Sequence, residues 1–332
     1  QRIGEVGRAG EIVGDRAEEE RHRLLSPIGK RGKTTRASAR SRQRASSRAQ
    51  SLICRQSPRK GKAPAWSKED EVPNFAANLS MMFQEVDFLD RFGAAAKAGF
   101  RGVEFLFPYD FKAGDIADRL KTHKLTQALF NTPPGNWGAG ERGLAALPGR
   151  ESEFREGVAR AIEYAKATNC RTIHTMAGLW PAGKPKAEGE AVYVENVRYA
   201  ADLAKKDGIT VVIEPINTRD IPGYFLNTTT EGIAILDRVA RDNARLQLDL
   251  YHCQIMEGDL AERTKRLMPR VSHVQIAGTP GRHEPDIGEV NYPFLYDLLD
   301  ELGYKGWVGC EYRPKGATLA GLGWARKYGI GG

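Results

Sequence analysis

Four oxygen-bearing side chains stand out by where they fall. Glu214 closes the run Thr-Val-Val-Ile-Glu, Asp249 closes Leu-Gln-Leu-Asp, Gln275 lies in His-Val-Gln-Ile, and Glu311 follows Val-Gly-Cys. The steps from 214 to 249, 249 to 275 and 275 to 311 are 35, 26 and 36 residues, each about one strand-plus-helix unit. Four consecutive strands would therefore each bring one oxygen ligand to a common centre. Three carboxylates and an amide oxygen form a hard, oxygen-only donor set, suited to Mg2+ or Mn2+ and wrong for a structural zinc site. Any one acid could instead cap a helix or pair with an arginine. Three acids and an amide on four successive strands, each in an aliphatic run, favour a shared cation, because a buried unpaired carboxylate costs several kcal/mol.

Further polar residues end the earlier runs: Glu104, Asn131 and His174. With His252, which follows Asp-Leu-Tyr, they are candidates to hydrogen-bond a hydroxylated substrate. Arg282 and His283, in Gly-Arg-His-Glu-Pro-Asp, join that substrate-binding group, Arg282 because its planar fork matches a carboxylate. His273 alternates with Val274 and is expected to face away from Gln275.

These positions need a scaffold that aligns strand ends. Eight apolar runs qualify as strands: Asn74 to Asn78, Gly102 to Leu106, Leu125 to Asn131, Arg171 to Met176, Thr210 to Glu214, Arg245 to Asp249, Ser272 to Ile276 and Trp307 to Tyr312. Amphipathic stretches separate them, such as Asp87 to Ala98 and Tyr193 to Lys206. Gly99, Gly208 and Gly303 precede strands and read as helix C-terminal caps. The fold class is α/β, a (β/α)8 barrel, whose active site sits at the C-terminal rim of the strands. An open doubly wound sheet lacks support, since no Gly-x-Gly-x-x-Gly follows the first strand. The connection from Thr132 to Arg150, with Trp137 among prolines and glycines, is expected to be a structureless lid that excludes water.

The chain has 332 residues, with 50 Lys+Arg against 42 Asp+Glu. The excess is confined to one region: residues 1–72 hold 18 basic and 9 acidic residues, which leaves 32 and 33 for residues 73–332. Two parts follow, a disordered Arg/Ser-rich tail over 1–72 and a barrel domain over 73–332. The tail suits a transit peptide, a nucleic-acid arm, or a fragment of no function. Nucleic acid is not the expected partner, because no aromatic side chain for base stacking precedes Trp66. Cys54, Cys170, Cys253 and Cys310 form no Cys-x-x-Cys pair, which fits a reducing, cytoplasmic setting. No apolar run reaches the roughly 20 residues of a membrane span, and association into a homo-oligomer is left open.

From residue 73 to about 328 the chain resembles the hydroxypyruvate isomerase family of xylose-isomerase-like barrels. The resemblance is carried by Asn-Phe-Ala-Ala-Asn-Leu-Ser-Met-Met-Phe at 74–83, Gly-Val-Glu-Phe-Leu-Phe-Pro-Tyr at 102–109, Ala-Leu-Phe-Asn-Thr at 128–132, His-Val-Gln-Ile-Ala-Gly at 273–278, Arg-His-Glu-Pro-Asp at 282–286 and Gly-Cys-Glu-Tyr at 309–312. It implies that Glu214, Asp249, Gln275 and Glu311 hold the divalent metal and that Glu214 and Glu311 are also the acid/base pair. It implies as well the interconversion of hydroxypyruvate and tartronate semialdehyde through an enediolate, a small 2-oxo acid or sugar acid as substrate, and a place in carbohydrate and glyoxylate metabolism. Many relatives of this fold carry His where Gln275 stands, and zinc-dependent endonuclease relatives carry several more histidines than this chain. The segment Glu-Pro-Ile-Asn-Thr-Arg-Asp-Ile-Pro-Gly-Tyr-Phe-Leu, 214–226, looks more like the related 2-oxo-tetronate isomerases, so the alternative is a four-carbon 2-oxo acid or another ketose, as substrate of an isomerase or epimerase. A sugar-acid-binding barrel without catalysis is the rival from another class.

Overall fold

A computed structural model describes residues 73–332; the expected disorder of the tail lies outside the described residues. Eight parallel strands close into a barrel in chain order: β1 Asn74–Asn78, β2 Gly102–Glu104, β3 Thr126–Asn131, β4 Thr172–His174, β5 Thr210–Ile213, β6 Ala244–Asp249, β7 Val271–Ile276 and β8 Trp307–Cys310. Around them run α1 Phe88–Lys97, α2 Ala113–His123, α3 Glu151–Thr168, α4 Lys186–Lys205, α5 Thr229–Val239, α6 Leu250–Met256, α7 Leu260–Leu267 and α8 Tyr292–Glu301. Four strands stop short of their expected ends, because the chain leaves the ladder to enter a loop. Glu214 and Glu311 thus stand one residue beyond β5 and β8, free of strand pairing.

The period of two sorts each strand into two faces. Phe75, Ala77, Val211, Ile213, Leu246, Leu248, Val274, Ile276 and Val308 join one apolar layer with helix residues such as Phe92, Ile116, Val158, Ala200, Leu236 and Leu295. The intervening positions Asn78, Glu104, Gln247, Asp249, His273 and Gln275 are buried polar groups inside the barrel. The ladder sets Asn78 beside Glu104 and Asp249 beside Gln275. The outer layer supplies the stability: Phe92 is fully buried, and cutting it to Ala would cost about 3–5 kcal/mol.

Helix ends follow local chemistry. α1 stops because Gly99, at φ 97°, donates to Ala96 while Phe100 donates to Ala95, the paired bonds of a Schellman cap. Gly208 and Gly303 end α4 and α8 in the same way, as their sequence positions suggested. α5 begins at a capping box: Thr228 accepts from the Glu231 N–H and Glu231 accepts from the Thr228 N–H. α4 starts seven residues before the expected Tyr193, since residues 186–192 contain no breaker other than Gly189, which packs under Trp180 and Phe225.

The connection after β3 is not structureless. It holds a 3-10 turn at Trp137–Ala139, bridges to the chain after β4 at Gly143, and is tied by Arg150 to Glu141 at 2.6 Å. Trp137 remains 39% exposed, flanked by Phe107 and by the Arg142 guanidinium at 3.9 Å from its ring.

Candidate metal centre and active site

Glu214, Asp249, His252 and Glu311 each offer one atom within 4.8 Å of all the others, and all four residues are buried. Their placement follows from the strand ends. Asp249 ends β6 and caps α6, its Oδ1 accepting from the Tyr251 and His252 N–H groups at 2.7 and 3.3 Å. Its Oδ2 has no hydrogen-bond partner, nor has Glu214 Oε1. Two buried carboxylate oxygens without donors, close to a third acid, are costly unless a cation or a proton meets them.

Electrostatics point the same way. Burial, then the neighbouring Glu311 and Asp249 charges, pushes the Glu214 carboxyl well above its ordinary range. Burial lifts Glu311 to about 8 even though Arg282 opposes the rise, and lifts Asp249 to about 6. Among the described residues, the cation inside the cluster is Arg282. Its Nη2 lies 2.6 Å from Glu311 Oε2 and 3.8 Å from Asp249 Oδ2, and its Nη1 donates to Asp220 at 3.1 Å. Fully ionised, three acids around one guanidinium would leave negative charge in excess, which a proton or a cation must offset. The donor chemistry, hard oxygens with two lacking partners, fits a divalent cation.

The two rim histidines are neutral. Burial, then Arg282 and His174, holds His252 well below its ordinary range, and burial holds His174 at about 3. The His252 tautomer follows from Asn217. Its Oδ1 accepts from the Arg219 and Asp220 N–H groups, so its Nδ2 must face His252 Nδ1, at 2.6 Å. That 2.6 Å contact outweighs the 3.4 Å approach of Arg282 Nη2 to Nε2, so the ring hydrogen is on Nε2, which lies 3.6 Å from Asp249 and 3.9 Å from Glu214. His252 therefore enters the cluster as a donor rather than as a lone-pair ligand. His174 is the reverse: Nδ1 donates to Asn131 Oδ1 at 3.2 Å, and Nε2, buried without a partner, presents a lone pair.

Gln275 sits beside Asp249 across the ladder, its Oε1 accepting from Gln247 at 2.6 Å and its Nε2 donating to Glu104 at 2.8 Å. Glu104 is inside the barrel, where Asn78, Gln275 and His273 all meet its carboxylate. His273 corrects the sequence expectation. Residues two apart on a strand share a face, so His273 points inward with Gln275, its Nε2 2.7 Å from Glu104. His283 is not brought to the cluster; its Nδ1 meets the Arg313 carbonyl at 2.9 Å.

Sequence reasoning missed Asn78, Gln247, Asn217 and Asp220. Gln247 was accessible from the period of two, being two residues before Asp249, and Asn78 from ending β1. Asn217 and Asp220 lie on a loop, where spacing carries no directional signal.

Comparison with known proteins places this geometry. The chain matches the family described as xylose isomerase-like TIM barrel over residues 92–328. It is 58% identical over 257 residues to a 2-oxo-tetronate isomerase of Cupriavidus necator, covering 77% of this chain and 99% of that protein. It is 48% identical over 254 residues to the hydroxypyruvate isomerase of Escherichia coli, covering 76% and 98%. Among solved structures it is similar to one titled AP endonuclease, family 2, from Brucella melitensis, with a TM-score of 0.76, 56% identity, and coverage of 77% of this chain and 99% of that one. A 3-keto-D-glucoside 4-epimerase from E. coli, at 19% identity and a TM-score of 0.65, shares the fold.

Proposed function

The chain belongs to the xylose isomerase-like TIM barrel family, and from that premise we propose that it is a metal-assisted isomerase of the hydroxypyruvate type, interconverting hydroxypyruvate and tartronate semialdehyde. The observation that carries this is the convergence of Glu214 and Glu311, two buried carboxyls with raised proton affinity, on one centre with Asp249. Moving an oxo group to the neighbouring carbon requires a proton to leave one carbon and arrive at the next. Two carboxyls whose proton affinity is raised above the ordinary carboxylate range are suited to that pair of transfers.

The residues that would hold the cation are Glu214, Asp249, Gln275 and Glu311. When bound, Mg2+ or Mn2+ supplies Lewis acidity toward the substrate oxygens and offsets the enediolate charge. The remaining residues bind and orient. Arg282, its Nη1 held by Asp220, meets the substrate carboxylate. His252 donates from Nε2 to a substrate oxygen, and His174 accepts a substrate hydroxyl at its free Nε2. Both rings stay neutral and so do not compete for the proton in transit.

A second reading keeps the chemistry and changes the substrate to a four-carbon 2-oxo acid. The segment 214–226 and the 58% identity to a 2-oxo-tetronate isomerase favour it. Among the described residues no helix is long and apolar enough to cross a membrane, and Cys170, Cys253 and Cys310 are free and buried, which accords with a cytoplasmic enzyme. Progress curves with hydroxypyruvate and 2-oxo-tetronate side by side test the function; inactivity toward both with metal supplied would overturn it.

A further inference from the structure

A carboxamide ligand poses a problem that a carboxylate does not. The oxygen and nitrogen ends of Gln275 are nearly the same size, so packing alone does not decide which faces the cation; only hydrogen-bond partners do. We propose that Glu104 is the positioning residue that makes this choice, holding the Gln275 nitrogen so that its oxygen is turned toward the metal centre. The proposal rests on Gln275 being the fourth ligand.

The geometry is specific. The Gln275 end at 2.8 Å from Glu104 Oε1 is its NH2 group, which donates to that oxygen. The oxygen is then turned to the opposite side, where Gln247 Nε2 lies at 2.6 Å. Gln247 lies two residues before Asp249 on β6 and so shares its face, and Gln275 itself stands beside Asp249 across the ladder, so that side is the side of the acids. Glu104 is itself fixed from three directions: Asn78 Nδ2 at 3.0 Å, Gln275, and His273 Nε2 at 2.7 Å on its other oxygen. Asn78 Nδ2 also lies 3.3 Å from Glu311 Oε1, so the same carboxylate is linked to a second expected ligand.

Glu104 reaches from β2 to β7 because Gly309 leaves room. A methyl added there would fall on the Glu104 carboxylate. A buried acid spanning the barrel through a gap left by glycine, and meeting three donors, has no role in the outer apolar layer.

The test is the Mn2+ dissociation constant of the metal-stripped full chain, read from the EPR signal of free Mn2+. Glu104→Leu is expected to weaken Mn2+ binding about 10–100-fold, the usual cost of removing a partner that orients a ligand. Glu104→Gln should stay within about threefold, since its oxygen can accept from Asn78 and Gln275 while its NH2 group can donate to the His273 ring. Gln275→Leu should weaken binding by itself, and adding Glu104→Leu to it should cost no more than about threefold further, because no amide is left to orient. If Gln275→Leu lowers affinity and Glu104→Leu does not, or if the two losses add, positioning by Glu104 is overturned while the ligand set stands. If Gln275→Leu changes nothing, the ligand set fails and the proposal with it. Should Glu104→Leu not fold, Gly309→Ala displaces the same carboxylate, and a folded Gly309→Ala with unaltered Mn2+ affinity overturns the proposal.

Discussion

Stripping the cation should leave a protein whose stability falls as pH rises through neutrality, and the sign follows from the groups at the centre. The Glu311 carboxyl, at about 8 in the folded chain against an ordinary 4.5, keeps its proton where the unfolded chain has released it. Between those values the native state binds one more proton, so stability declines by about 1.4 kcal/mol per pH unit. Glu214, also raised, adds to the decline. The neutral His174 and His252 act in the opposite direction, but only below the ordinary imidazole value of 6.5, where the unfolded chain takes up protons that these rings refuse. Of these four groups, the two acids are therefore the ones that act from pH 6.5 to 8. Glu311 is half titrated at the upper end, so its share there is about 1–2 kcal/mol, equivalent to a fall in melting temperature of about 2–8 °C. Thermal unfolding of metal-free protein across that range measures it, and saturating Mn2+ should remove the fall because the cation replaces the protons. A metal-free protein whose melting temperature is flat or rises from pH 6.5 to 8 would refute the reasoning.

Other outcomes follow from single contacts. Glu214→Gln and Glu311→Gln should each lower kcat at least about 10²-fold while leaving the circular dichroism spectrum unchanged; near-normal turnover in both would remove the acid/base assignment. Arg282→Lys, which keeps the charge but loses the fork, should raise KM for carboxylate substrates more than it lowers kcat, as steady-state kinetics would show. Thr228→Ala removes the side-chain acceptor of the α5 capping box and should cost about 1 kcal/mol in urea unfolding, with activity retained.

The barrel was legible because its signals are local and repeated. Aliphatic runs marked all eight strands, and Gly99, Gly208 and Gly303 marked three helix ends at positive φ. The acids were legible for the same reason, since the residue that ends a strand lies at the rim whatever the following loop does. The boundaries were less so: Asn169 ends α3 at φ 54° without being glycine, and β2 and β4 are only three residues long. The interior was hardest to read. Glu104 looked like a rim contact because it ends β2, yet its side chain reaches across the barrel through the gap at Gly309, a feature that depends on a strand more than 200 positions later. His273 was misplaced through its alternation with Val274, although the same period, carried one step further, puts it on the Gln275 face. Asp220 reaches Arg282 only through the course of a loop, which no spacing encodes.

The central claim is that a divalent cation and the carboxyls of Glu214 and Glu311 together carry an isomerisation. It is tested most directly by assaying metal-stripped protein with hydroxypyruvate and 2-oxo-tetronate, before and after adding Mg2+ or Mn2+. Turnover of at least one substrate should appear only with the cation and should vanish in Glu214→Gln. Equal turnover with and without it, or none with the cation demonstrably bound, would contradict the claim.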